Sequence, residues 1–382
     1  MIKLIYPADE QKLTLVTPAQ RDITLRVKRG ELTEDILCDG NEYVVNGSSF
    51  DWLYEIYVPS FGYAHTKNPN EITFSSPQYI KFSWESEVAS HVEIRAVTDI
   101  KYPNDPLPAD IEYIYSFDGV HYTQSMYNFL MDTKYVWKVV ADDGSCESEE
   151  RCFYTLDEYP RLIYAQGTAN VRDIGGATTL DGKKVLQGRL YRGGALESDI
   201  DFQYKVTPKG IHTLKDVLKI KTEIDLREES CGNRTISELG EDVNLIVIPT
   251  HAYGSFFDEW RYPHIKRQME VFADEANYPM HIHCVAGADR TGMVVYWLYV
   301  LLKVRTEDII LDYNMTSLSL HDIRSRPNLM RYRNSLLTDE EKESLSEEEI
   351  IELASQRVEA LFIEKCGVAP EDIQKIKKIF LG

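Results

Sequence analysis

The chain has no long apolar run, no basic cluster and no cysteines at metal-binding spacing. Each lack removes a class of function. No stretch of about 18 consecutive apolar residues occurs, so no transmembrane helix is expected. The opening residues, Met1 to Glu10, hold no apolar core of signal-peptide length. A cytoplasmic protein is expected, or an exported one whose signal has been removed. Lysine and arginine are scarce, 42 against 62 acidic residues, for a net charge of −20. Residues 1–157 hold 13 basic against 26 acidic side chains (−13), and the remainder holds 29 against 36 (−7). Both halves are therefore acidic, which speaks against nucleic acid or an anionic membrane as partner. It speaks less strongly against a highly phosphorylated substrate. The six cysteines, Cys38, Cys146, Cys152, Cys231, Cys284 and Cys366, suit no zinc site. Cys146 and Cys152 are close enough to pair in an exported protein and are otherwise two reduced thiols.

What is present falls into two textures. A chain of 382 residues exceeds one ordinary core and predicts two domains. Residues 1–157 alternate short β-branched and aromatic runs with turn signals, which predicts an all-β domain. Expected strands include Lys3–Thr17, Ile23–Lys28, Tyr79–Trp84, Val92–Val97, Ile111–Phe117 and Tyr135–Ala141, with Trp84 and Trp137 as candidates to pack across a core. The run Tyr135–Ala141, a polar turn and Cys152–Thr155 resemble the last strands of a fibronectin type III-like sandwich, over residues 70–157. Such a module binds or positions, and it carries no visible catalytic set. Leu156–Arg161 reads as the linker. Residues 158–382 alternate strands with helical stretches, which predicts an α/β domain: a central, mostly parallel sheet flanked by helices, with a helical C-terminal part. Thr207 caps a helix over Pro208–Lys219, and Thr306 one over Glu307–Asn314. Ser346 and Glu349 form a capping box that opens Glu347–Cys366. Arg324–Lys342, with Arg324, Arg326, Arg331 and Arg333, is either a solvated helical hairpin or a lid over the site.

The chemistry concentrates at 280–297. Met280–His283 reads as a strand, and Cys284 opens a tight loop closed by Arg290, Thr291 and Gly292 at the start of an apolar helix. A helix N-terminus offers unpaired N–H groups and the positive end of the helix dipole, so the loop suits an anion. Small residues Ala286, Gly287 and Ala288 let the N–H groups of Val285 through Arg290 turn inward around a phosphoryl group. The same field lowers the thiol pKa from its free value of about 8.5. Arg290 offers two parallel N–H bonds to phosphoryl oxygens.

His283-Cys284-x5-Arg290-Thr291 resembles the signature of the protein tyrosine phosphatase superfamily. The finer pattern, with Gly287, Asp289 and Gly292, resembles its bacterial tyrosine/phosphoinositide phosphatase branch. That branch often has Lys before the Asp, where this chain has Ala288. Asn170-Val171-Arg172-Asp173-Ile174-Gly175-Gly176 is similar to a second element of the same branch, Gly188–Gly193 to the next, and Asp225-Leu226-Arg227 to a third. Arg172, Asp173, Asp225 and Arg227 read as supports of the loop. The resemblance implies a Cys284 nucleophile, phosphoryl binding by the loop N–H groups and Arg290, and no cofactor or metal. It implies further that Thr291 eases departure of the thiolate and that His283 orients the loop. Asp289 is the first choice for the general acid, as in myotubularin-type loops. Asp258, on an upstream segment as in many tyrosine phosphatases, is the alternative, and Asp225 the third. The expected substrate is a phosphorylated protein or a small phosphomonoester, phosphotyrosine first and phosphoserine or phosphothreonine second. A phosphoinositide phosphatase and a phospho-ligand-binding scaffold are the competing readings. Ala288 speaks against the first, and joint retention of Cys284 and Arg290 against the second.

Overall fold

The computed structural model describes residues 2–18, 20–21, 24–25, 36–39, 42–45, 76–97, 110–116, 118–197, 205–228, 234–316 and 329–382. Among them no helix is long and apolar enough to cross a membrane.

The N-terminal part is built from two four-stranded sheets. One joins β1 (Lys3–Tyr6), β5 (Ile80–Glu85), β8 (His121–Tyr127) and β7 (Asp110–Ser116) in that order. The other joins β2 (Gln11–Leu13), β10 (Arg151–Thr155), β9 (Lys134–Ala141) and β6 (Ser90–Val97). A separate hairpin pairs β3 (Ile36–Asp39) with β4 (Glu42–Val45). Alternation decides which side chains go inward. Tyr135, Trp137, Val139 and Ala141 of β9 are buried, as are Ile80, Phe82 and Trp84 of β5. The ring that meets Trp137 is Phe82, at 5.1 Å and edge-on, while Trp84 stacks on Tyr122 at 5.6 Å.

Some expectations for this part change. The run Lys3–Thr17 divides into β1 and β2. Thr24 and Leu25, the described part of Ile23–Lys28, are helical and not extended. The cause is local: the Gln20 side chain accepts from Thr17 N–H (2.8 Å) and the Thr17 hydroxyl from Gln20 N–H (3.3 Å), a reciprocal cap that starts a helical turn. Thr24 then donates its hydroxyl to the Gln20 carbonyl. Cys146 and Cys152 are free thiols.

The C-terminal part holds a six-stranded sheet in the order β11 (Arg161–Leu162), β12 (Arg172–Asp173), β13 (Leu190–Gly193), β16 (Met280–His283), β14 (Thr222–Asp225), β15 (Asn244–Val247). The last four run parallel, and β11 and β12 form an antiparallel edge. The register sets Gly193, His283, Asp225 and Val247 in one row at the carboxyl ends of the parallel strands. In an open parallel sheet, that edge faces the ligand crevice.

Thr207 accepts from Gly210 N–H, and helix α1 (Pro208–Ile211) runs into a wider π turn, His212–Val217. Then come α2 (Tyr262–Phe272), α3 (Asp289–Leu301), α4 (Thr306–Met315), α5 (Arg331–Asn334), α6 (Asp339–Ser344), α7 (Glu347–Ala360) and α8 (Pro370–Leu381). Every residue of α3 from Thr291 to Leu301 is buried, because α7 packs on its outer side and its apolar residues run all round. The capping box of Ser346 and Glu349 is present. Thr306 is the first residue of α4 and not its cap. Arg305 holds the cap position, and the Thr306 hydroxyl is used instead by Arg333 and Glu347. Of the segment Arg324–Lys342, Arg324 and Arg326 lie outside the described residues. The described remainder is tied down: Arg333 is buried and paired with Glu347 at 2.7 Å, and Tyr332 stacks on Tyr253 at 5.9 Å.

Leu156–Arg161 joins the two parts and is itself packed. Leu156 N–H donates to Leu13 O (2.9 Å), and the buried Tyr159 hydroxyl meets that of Tyr299 (2.8 Å). One apolar cluster runs from Phe82, Trp137 and Met131 through Tyr159 and Ile174 to Trp297.

Candidate active site

The loop from Cys284 to Ala288 leaves the central strand β16 and enters α3 without a side-chain cap at Ala288. Its carbonyls are all taken from outside the loop's bowl. Cys284 O meets His283 Nδ1 (3.0 Å), Val285 O accepts from Ala195 N–H (2.8 Å), and Ala286 O from the Asn170 amide (3.1 Å). Gly287 O accepts from the Arg192 guanidinium (2.8 Å), and Ala288 O from Gly292 N–H (2.9 Å). With the carbonyls occupied in this way, the Gly287 and Thr291 N–H groups are directed to the Cys284 sulfur. Gly287 has φ 66, and a Cβ there would lie 2.2 Å from Gly193 O. Only glycine lets the loop press against the end of β13.

Cys284 is buried, and burial opposes its ionisation. The Arg290 charge, the Thr291 hydroxyl and the N–H groups of Thr291 and Gly287 outweigh burial and hold the thiol below its ordinary value. The Thr291 hydroxyl is fully buried and makes no other hydrogen bond.

His283 lies behind the loop. Burial disfavours its charged form, but Glu223, bonded to Nε2 at 2.8 Å, together with Asp225 and the Cys284 carbonyl, pushes the imidazole up to about 9. Both ring nitrogens are therefore donors at neutral pH. Glu223 resists burial through the same bond and stays below the ordinary carboxylate range. His281, with its ring 5.5 Å from that of His283, is the opposite case: burial, and then the His283 charge, take it down to about 3.

Of the four expected supports, Arg172 reaches the Cys284 loop through bonded neighbours, while Asp173, Asp225 and Arg227 bond to other partners. Arg172 donates from Nε to Asp312 Oδ1 (2.7 Å) and also bonds Asn170, whose amide holds Ala286 O. Arg192 bridges the other Asp312 oxygen to Gly287 O. Asp173 accepts from Arg161 (2.8 Å), Gly175 N–H (2.8 Å) and Gly188 N–H (2.7 Å). Asp225 is committed to Arg227 (2.9 Å) and Arg234 (2.5 Å), with His283 Nδ1 4.0 Å away. Burial pushes its carboxyl up, against the pull of His283, Arg234 and Arg290. Arg227 also holds Glu197 (2.7 Å).

A cavity of about 360 Å³ opens at the loop, lined by Glu228, Thr250, His251, Ala252, Tyr253, Asp289 and Arg290. Asp289, the first residue of α3, accepts from the Tyr253 hydroxyl, which also meets that of Tyr313 (2.7 Å). Asp258 precedes the short turn Glu259–Arg261 and is not among the cavity's lining residues. Arg290 is the one arginine or lysine in that lining, and the neighbouring His251 is bonded to Glu228 at 2.9 Å.

Sequence reasoning missed Glu223, Asp312, Arg161 and Tyr253. For Glu223 a signal existed. In a strand it shares a face with Asp225, and two carboxylates on a buried strand demand partners.

Residues 163–382 match the profile of the Tyrosine phosphatase family. A curated relative, the candidate tyrosine-protein phosphatase H16_A0669 of Cupriavidus necator, is 27% identical over 172 residues, covering 38% of this chain and 59% of that protein. The chain thus spans about three-fifths of the length of the curated relative it matches. Two solved structures are similar. One is the core catalytic domain of the PP-IP phosphatase SIW14 of S. cerevisiae in complex with citrate (16% identity, TM-score 0.26, 44% of this chain and 86% of that one). The other is a Siw14 catalytic core (18% identity, TM-score 0.26, with the same coverage). Because the profile covers more than half of the chain, the protein belongs to the tyrosine phosphatase family.

Proposed function

We infer that this chain hydrolyses phosphotyrosine monoesters through a phosphocysteine intermediate. The observation that carries the reading is a buried thiol held below its ordinary pKa in a loop whose carbonyls all turn outward. The Cys284 thiolate attacks phosphorus, and the bond to the leaving oxygen breaks. The loop N–H groups and Arg290 stabilise the charge on the three phosphoryl oxygens. Asp289 gives its proton to the leaving oxygen. Water then attacks the phosphocysteine, Asp289 takes back a proton, and the P–S bond breaks as the Thr291 hydroxyl donates to the departing sulfur.

The cavity lining supports a substrate with one phosphate. Beyond Arg290 it offers an acidic residue, Glu228, where a second phosphate would need a cation. The two N-terminal sheets, with Phe82 against Trp137, support a fibronectin type III-like accessory module over residues 1–157 and a catalytic domain over 158–382. A comparison of kcat/KM on a phosphotyrosine peptide, a phosphoserine peptide and phosphoinositide vesicles tests the reading. The phosphotyrosine peptide is expected to lead, and faster turnover of phosphoinositide would overturn the substrate assignment.

A further inference from the structure

The turn between β8 and β9, residues 128–133, is fastened to the catalytic part by three sets of polar bonds. Asn128 takes left-handed backbone (φ 65), and its side-chain amide pairs reciprocally with the Tyr164 backbone: Nδ2 to Tyr164 O at 3.0 Å, Tyr164 N–H to Oδ1 at 2.8 Å. Gln187 pairs in the same way with the Met131 backbone, at 2.9 and 3.1 Å. The third fastening is charged. Arg161, 4% exposed, donates from Nε to Phe129 O (2.9 Å) and from one terminal nitrogen to Asn128 O (2.7 Å). Its other terminal nitrogen donates to Asp173 (2.8 Å).

Asp173 is fully buried and adjoins Arg172, from which bonds run through Asp312, Arg192 and Asn170 to the carbonyls of Gly287 and Ala286. The turn and the Cys284 loop are thus tied to neighbouring residues of one strand, β12: the turn to Asp173 through Arg161, the loop to Arg172 through Asp312, Arg192 and Asn170. A buried guanidinium cannot tolerate loss of its acceptors, so a shift of the turn must be answered by Arg161, and through Asp173 by β12. The turn also packs close by: a Cβ on Gly176, three residues past Asp173, would lie 2.2 Å from the Met131 methyl.

We propose that Arg161 is a positioning residue, through which the 128–131 turn of the N-terminal sheets sets the geometry of the Cys284 loop. The N-terminal part is then a working piece of the phosphatase. The inference rests on Cys284 being the nucleophile, but one of its readouts is independent of turnover.

The test uses the full chain carrying Arg161→Lys, Asn128→Ala or Gln187→Ala, with Val139→Ala as control. Val139 is a fully buried core residue of β9, six positions past the end of the turn. Two quantities are read on each: kcat and KM for an aryl phosphate, and the rate of Cys284 alkylation by iodoacetamide at neutral pH, followed by mass spectrometry of its peptide. Displacing a loop from productive geometry costs up to about a hundredfold in rate. Arg161→Lys keeps the charge toward Asp173 but loses the fork to the two turn carbonyls. It should lower kcat between about tenfold and about a hundredfold with little change in KM, and slow alkylation. Asn128→Ala and Gln187→Ala should shift both in the same direction by less, and they carry the test if Arg161→Lys fails to fold. Val139→Ala should lower the melting temperature and leave both quantities alone. Turn variants that melt earlier yet keep native kcat and native alkylation would overturn the proposal, leaving the interface as mere adhesion. A native chain with no activity on any phosphomonoester would sink the functional reading, while the alkylation rates would still decide the coupling.

Discussion

Replacing Glu223 by Gln probes the buried pair behind the Cys284 loop. In the native chain His283 donates from Nε2 to Glu223 and from Nδ1 to Cys284 O, and its pKa stands at about 9 against an ordinary 6.5. That difference is worth roughly 3 kcal/mol, at about 1.4 kcal/mol per unit. Because the folded value is raised, this stabilisation is full below about pH 6.5 and is lost as the pH rises through about 9. Glu223 has the opposite sign. Its lowered value gives a contribution that is present above 4.5 and lost as the pH falls, so work above about pH 6 keeps it charged. Gln keeps the shape and an acceptor but removes the charge that sustains the imidazolium. The variant should therefore lose up to roughly 3 kcal/mol of stability near pH 6, less whatever share of the shift Asp225 and the Cys284 carbonyl sustain, and the gap should narrow toward about pH 10. Urea unfolding across that range measures it, with both proteins in a Cys284→Ser background. The serine removes the thiol, whose own lowered pKa contributes stability above 9.0 that is lost as the pH falls. A gap that stays constant with pH would refute the charge assignment of His283.

Asp289→Asn should cost about a hundredfold or more on an alkyl phosphate, whose oxygen leaves poorly, and much less on an activated aryl phosphate. Asp258→Asn should change neither; sensitivity of Asp258 to leaving-group pKa would move the acid to the upstream segment. Gly287→Ala should fold but lose about a hundredfold in kcat, because its Cβ would meet Gly193 O at 2.2 Å and open the loop. Native kcat in this variant would show that the loop tolerates the displacement.

The loop was legible in the sequence because its chemistry is local. Cys284, Gly287, Arg290 and Thr291 lie within eight residues, and strand, turn and helix signals flank them. The parallel sheet was legible from alternation of texture, and with it the place of Asp225 at the carboxyl end of a strand. The supports were harder, because each reaches its target across a large sequence distance. Glu223 meets His283 over 60 residues, Arg192 meets Asp312 over 120, and Arg172 meets Asp312 over 140. Asp312 hides in an otherwise apolar helical run, Ile309 to Tyr313, where nothing local announces an ion pair. At Thr24 the β-branched neighbours favour a strand, but Thr17 and Gln20 close a cap that starts a helical turn. Arg161 read as linker, since a residue beside Tyr159-Pro160 gives no sign that it will be buried between two sets of sheets.

Cys284 should carry the phosphoryl group during turnover. Mixing the enzyme with a phosphotyrosine peptide, quenching within one turnover and mapping the phosphoryl group by mass spectrometry tests it most directly. The expected result is a burst of released tyrosine peptide matched by phosphoryl on Cys284, absent in Cys284→Ser. Turnover in Cys284→Ser within about tenfold of native, or a burst with the phosphoryl group on another residue, would contradict it.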